Sequence, residues 1–196
     1  DDLHSKFLHN LAAEEVLLAN DMYLEPTDWS LDGAYVAFNR NVQNWGLGGD
    51  IWLVSLTDNA AEPLIESPFT CGELVFSPDG NWIAYQSDET GQDEVIVRPF
   101  PLTAQKRQVS VGGGIGPKWR SDGKELFYRG LDDYLMAVAF EEGAEMKPNA
   151  PVALFEVRSR FDDSAVDYDV SPDGETFLIN TAITHDRMAR MTMVVN

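Results

Sequence analysis

Four Asp-Gly pairs, Asp32-Gly33, Asp79-Gly80, Asp122-Gly123 and Asp173-Gly174, stand 47, 43 and 51 residues apart in this chain of 196 residues. Each pair sits in a similar frame: Trp29 to Phe38, Phe76 to Tyr85, Trp119 to Tyr128 and Val170 to Ile179. The turn chemistry is consistent within the frame. Pro78 and Pro172 preset the first central position, Asp hydrogen-bonds the turn backbone, and Gly accepts the strained exit. The fourth and sixth positions past each Asp are apolar in all four copies: Val36 and Phe38, Ile83 and Tyr85, Leu126 and Tyr128, Phe177 and Ile179. That spacing puts one constant face on a β-strand. Each Asp-Gly is therefore expected to be a hairpin corner, and a period of this size is the signature of propeller blades or a solenoid.

Further strands follow each corner. Residues 51–56, 95–97 and 134–140 read as third strands, and 63–65, 107–111 and 152–155 as fourth strands. Residues 3–8 and 16–19 supply only the last two strands of a blade, and 167–170, 176–180 and 191–195 only the first three. Residues 11–18 hold the one short helical pattern, too close to the strand-like Val16-Leu17-Leu18 to override it. The expected fold is all-β, a β-propeller of four-stranded antiparallel blades. Partial blades at 1–20 and 158–196 flank complete ones at 21–66, 67–111 and 112–157, so the chain reads as an arc of a larger propeller. Beginning at Asp1, it also reads as a mature or excised piece.

Composition narrows the function. With 44% hydrophobic and 11% aromatic residues the chain is globular,. A formal charge of −19, from 14 basic and 33 acidic residues, opposes binding to a phosphate backbone, so no nucleic-acid partner is expected,. The longest apolar runs are only a few residues, and no membrane insertion is expected. Cys71 is the single cysteine and has no intrachain disulfide partner,.

The Ser-Pro-Asp-Gly corners with their following Ile83-Ala84-Tyr85, the strand entry Gly49-Asp50-Ile51-Trp52-Leu53, and Glu94-Val95-Ile96-Val97-Arg98-Pro99-Phe100-Pro101 resemble the bacterial TolB-like, WD-repeat-like β-propellers. The resemblance runs from about Thr27 onward. It implies a bacterial source, a place at the C-terminal end of a multidomain protein such as a serine/threonine kinase, and a periplasmic or otherwise extracytoplasmic location. It does not imply a chemistry, because propellers host unrelated activities.

Motifs for catalysis are sparse. Gly112-Gly113-Gly114-Ile115-Gly116 joins two strands, and Lys118 is followed by Trp119, so a blade-to-blade crossing fits better than a phosphate loop,. Gly-x-Ser-x-Gly is absent,. His4, His9 and His185 lack the spacing that zinc needs. The acidic pairs Asp88/Glu89, Asp132/Asp133, Asp162/Asp163 and Asp167/Asp169 read as solvated turns, with calcium the alternative and Asp167 with Asp169 its best pair. No cofactor is expected. Trp29 and Trp119 read as core residues, whereas Trp45, in a glycine-rich loop, is either folded over its own blade or a contact residue.

The polar inner-strand positions Asp28, Glu73, Lys118 and Asp169 are placed at the mouth of a central channel. Together with Trp45 they form the expected binding set, while the four Asp-Gly corners are structural. The expected function is a non-catalytic module presenting loops and a channel to a protein or small-molecule ligand. The alternatives are an enzyme or enzyme-associated propeller, either a metal-dependent hydrolase or lyase using channel carboxylates or the gating propeller of a serine peptidase, and a structural repeat that self-associates through open blade edges.

Overall fold

The computed structural model describes residues 3–6, 14–19, 24–40, 49–141, 147–157, 168–180 and 192–195. Among them every element is a strand. The order is β1 (Leu3–Lys6), β2 (Glu14–Leu18), β3 (Leu24–Trp29), β4 (Tyr35–Arg40), β5 (Asp50–Ser55), β6 (Ala61–Ile65), β7 (Cys71–Phe76), β8 (Trp82–Ser87) and β9 (Glu94–Pro99). It continues with β10 (Arg107–Gln108), β11 (Ile115–Trp119), β12 (Glu125–Arg129), β13 (Tyr134–Glu141), β14 (Lys147–Pro148), β15 (Val152–Glu156), β16 (Tyr168–Val170), β17 (Thr176–Ile179) and β18 (Thr192–Val195).

These strands form antiparallel meanders in chain order: β1-β2, β3-β4-β5-β6, β7-β8-β9-β10, β11-β12-β13 with β15 on its outer edge, and β16-β17-β18. The third of the larger sheets departs from the expected four strands. Two-residue β14 pairs with the far end of β13, at Phe140 and Glu141, and β15 pairs with the near end. At eight residues β13 is long enough to carry both partners. Residues 14–18, inside the ambiguous helical pattern, are strand and pair with β1.

The corners close as the turn chemistry requires. Gly33, Gly80, Gly123 and Gly174 have φ of 72°, 70°, 71° and 76°, a region open to glycine at little steric cost. In the first corner Ser30 Oγ donates to Asp32 Oδ1 at 2.7 Å, and the same Oδ1 accepts the N–H of Ala34 at 3.0 Å. The second and fourth corners repeat this with Ser77 and Asp79, and Ser171 and Asp173.

Strand alternation sets the packing. Ile83 and Tyr85 of β8 pack back on the preceding sheet, whereas Ala84 packs forward on the next one. Leu126 and Tyr128 of β12 likewise face back and Phe127 faces forward. Four apolar clusters therefore lie between consecutive sheets, the first joining Leu3 and Leu17 to Leu24, Val36, Phe38 and Val54. The first strands lie side by side, β3 against β7 and β7 against β11, and this row carries the polar residues of interest.

Candidate functional site

Each of the three complete first strands contains a register shift: in β3 between Pro26 and Asp28, in β7 between Gly72 and Val75, and in β11 between Ile115 and Lys118. A bulge turns the strand and aims side chains that a regular ladder would bury. Counting back six residues from the corner aspartates reaches Glu73 in one sheet and Gly116 in the next. Gly116 has φ +61° and Glu73 has φ +52°. Glycine takes that conformation freely, but a glutamate in it stores backbone strain of roughly 1–3 kcal/mol.

The sequence places Asp28, Glu73, Lys118 and Asp169 on this row, and the structure brings them together around Lys118. The Lys118 ammonium lies 3.3 Å from Asp169 Oδ1, and its charge also reaches Asp28 and Glu73. Burial pushes the Glu73 carboxyl above the usual range. The Glu25 charge adds to the rise and Lys118 opposes it. Glu25, from β3, thus joins the set, a residue that sequence reasoning passed over because its strand position does not recur in the other copies. Burial also raises the Asp28 carboxyl, against hydrogen bonds from the N–H groups of Phe76 and Trp29 and the Lys118 charge.

Asp28 also ties two sheets together. Its Oδ1 accepts the N–H of Trp29 at 2.8 Å, and its Oδ2 accepts the N–H of Phe76, on the next first strand, at 2.7 Å. Asp169, at the matching position four residues before its corner, repeats the local bond by accepting the N–H of Val170 at 3.0 Å.

The glycine run is a crossing between sheets. The N–H of Gly113 reaches Glu94 Oε1 at 3.1 Å, and that of Gly116 reaches Gln86 Oε1 at 3.1 Å. The carbonyl of Gly116 accepts from Tyr168 Oη at 2.7 Å, so one glycine is clamped from both neighbouring sheets. A side chain at Gly114 would stand 2.7 Å from the Tyr128 ring.

Other sequence candidates disperse. Trp45, His9, His185, Asp162, Asp163 and Asp167 lie outside the described residues, and His4 is exposed. Asp88 accepts the N–H of Thr70, Glu89 pairs with Lys106, and Asp133 lies 3.6 Å from Arg129. Among the described residues no group of three or more His, Cys, Asp or Glu side chains is arranged to hold a metal ion. Trp119 is a core residue stacked near Phe140. Trp29 corrects the expectation drawn from the same position: it is 54% exposed. Among the described residues the apolar cluster that joins the first sheet to the second does not include it.

No family model matches the sequence, and no curated protein is similar enough to count as a relative. Solved structures do match. TolB from Acinetobacter baumannii aligns over 88% of this chain and 42% of its own, with a TM-score of 0.64 and 18% identity. An oligogalacturonate lyase in complex with manganese aligns over 86% and 48%, at 0.58 and 15%. The β-propeller domain of the Trilobed protease from Pyrococcus furiosus, described as having an open velcro topology, aligns over 88% and 53%, at 0.54 and 18%. The chain spans about half the length of these three structures. At such identities the likeness carries the fold and no activity, and the chain is a partial β-propeller similar in architecture to TolB.

Proposed function

We propose that this chain is a binding module within a larger bacterial propeller protein, taking a protein or small-molecule ligand on the row of first strands around Glu25, Asp28, Glu73, Lys118 and Asp169. The observation that carries the proposal is Glu73. It holds a left-handed backbone where the next repeat has glycine, it is half-buried, and burial disfavours its charge. Strain and desolvation at one residue cost stability, and such costs concentrate at sites that handle ligands. The same fold serves a lyase and a protease domain, so fold alone assigns no chemistry, and the binding role rests on the Glu73 geometry. The likeness to TolB supports an extracytoplasmic location.

Glu73→Gly tests the reading. The variant should be more stable than the parent by about 1 kcal/mol as the strained backbone relaxes. In a screen of peptides, sugars and amines, it should lose the melting shift that its best ligand gives the parent. A ligand that shifts both proteins equally, or a Glu73→Gly variant that is less stable, would overturn the proposal.

A further inference from the structure

Successive Asp-Gly corners pack against one another at two of the three places where they meet. A side chain at Gly123 would touch Pro78 of the preceding corner at 3.7 Å, and one at Gly174 would run into the stem of Arg120. Ser121 Oγ donates to the carbonyl of Pro172. Between the first two corners this closure fails. Gly80 has open space where its side chain would be, and Leu31, at the proline position, is 70% exposed. The result is a cleft of about 220 Å³ with Phe76 and Phe100 among its lining, and Asp32 and Asp79 on its two corners. The two rings meet edge to face at 5.2 Å.

The third corner shows what the cleft lacks. There Arg120 stands where the other corners have Ser30, Ser77 and Ser171. Its guanidinium reaches Asp122 through Nε at 2.8 Å and Nη2 at 2.5 Å, and Glu125 through Nη1 at 2.6 Å, while its stem lies on the next corner. Asp32 is the counterpart of Asp122, but Ser30 engages only its Oδ1. Hydrogen bonds from the Ala34 N–H and the Ser30 hydroxyl hold the Asp32 carboxyl below its usual range. At Asp79 the bonds from Ser77 and Asn81 outweigh burial and do the same. Both groups are anions at neutral pH beside an apolar surface.

We propose that the cleft between the first two corners binds an arginine side chain of a partner protein, its methylene stem on Phe76 and Phe100 and its guanidinium between Asp32 and Asp79. A guanidinium suits the place because it is planar, weakly hydrated and able to bridge two carboxylates. The net charge of −19 adds long-range attraction for a basic partner,. The cleft adjoins the first-strand row without sharing its ligand groups, so this proposal and the one above fail separately.

The test is fluorescence anisotropy of a labelled Phe-Arg-amide peptide titrated with the chain, against the neutral Phe-citrulline-amide analogue. The arginine peptide should bind saturably and the citrulline peptide about tenfold more weakly. Asp32→Asn and Asp79→Asn keep the turn acceptor and remove the charge, and each should weaken arginine-peptide binding severalfold. Asp173→Asn, at a distant corner, and Glu73→Gly should leave it unchanged. Ser30→Arg, which supplies a cation from the chain itself, should abolish it. Equal binding of the two peptides, no saturable binding, indifference to both Asn variants, or a loss in Glu73→Gly alone would overturn the proposal.

Discussion

The junctions inside the arc and the faces at its two ends are built from the same repeat positions and meet opposite fates. Five residues past the corner aspartate stand Ala37, Ala84, Phe127 and Leu178. The first three are 0%, 0% and 2% exposed because another sheet covers them, and Leu178 is 41% exposed. Three residues before the corner, Phe76 and Trp119 are 7% and 9% exposed, and Trp29 is 54%. A blade in this chain is thus a two-sided element, apolar on both faces, whose burial depends on having neighbours on both sides. Sequence position within the repeat does not decide exposure; place in the array does.

The sharpest way to break that comparison is to truncate the same repeat position inside and at the end. Phe127→Ala removes a ring packed edge to face on Phe177 at 5.0 Å, and should cost about 3–5 kcal/mol in chemical denaturation. Leu178→Ala should cost well under half of that. Equal losses would mean that the end face is as well packed as the junctions.

The corners offer a second contrast. Gly174→Val must both hold a φ of +76° and displace the Arg120 stem, whereas Gly80→Val meets only its φ of +70°. Gly174→Val should therefore cost about 3 kcal/mol and Gly80→Val about 1 kcal/mol, read as denaturation midpoints. A larger loss at Gly80 would show that the cleft beside it is closed in solution.

Acid should separate the corners from the first-strand row. The Asp122 carboxyl is held at about 2 by Arg120, the N–H of Lys124 and the Arg120 and Lys124 charges. A depressed carboxyl contributes stability that is present above its unfolded value and lost as pH falls through its folded one. Glu73 has the opposite sign. Its raised folded value means that its ionisation weakens the fold as pH rises through that value, and acidification relieves the penalty,. Glu73→Gln should remove that relief and raise stability at neutral pH by about 1 kcal/mol or less. A Gln variant less stable at pH 7 would show that the charge is compensated.

The smallest effect belongs to Trp29→Ala. An exposed indole at the start of the arc should cost less than about 0.5 kcal/mol, while Trp119→Ala, at the same repeat position inside the core, should cost several. A large loss at Trp29 would mean that its face is covered.

The corners and the alternation were legible in the sequence because they are local: a turn needs its Asp and Gly in place, and a strand shows its faces at every second residue. The row of Asp28, Glu73, Lys118 and Asp169 was legible for the same reason, as polar positions on first strands. What the sequence hid depends on register and on neighbours. The bulge that gives Glu73 a positive φ is visible only against Gly116 once the two strands are aligned on their corners. Glu25 enters through proximity across sheets. Trp29 could be told from Trp119 only by knowing which sheet lies before it, and the doubled edge of β13 depends on strand length.

The central claim, that this chain is an arc whose end faces are uncovered junction faces, is tested most directly by sedimentation velocity across a concentration series, with Leu178→Asp run beside the parent. The account predicts concentration-dependent association of the parent that the charged variant reduces, because a buried-type face left in water drives contact. A compact monomer at every concentration, sedimenting identically with and without Leu178→Asp, would contradict it.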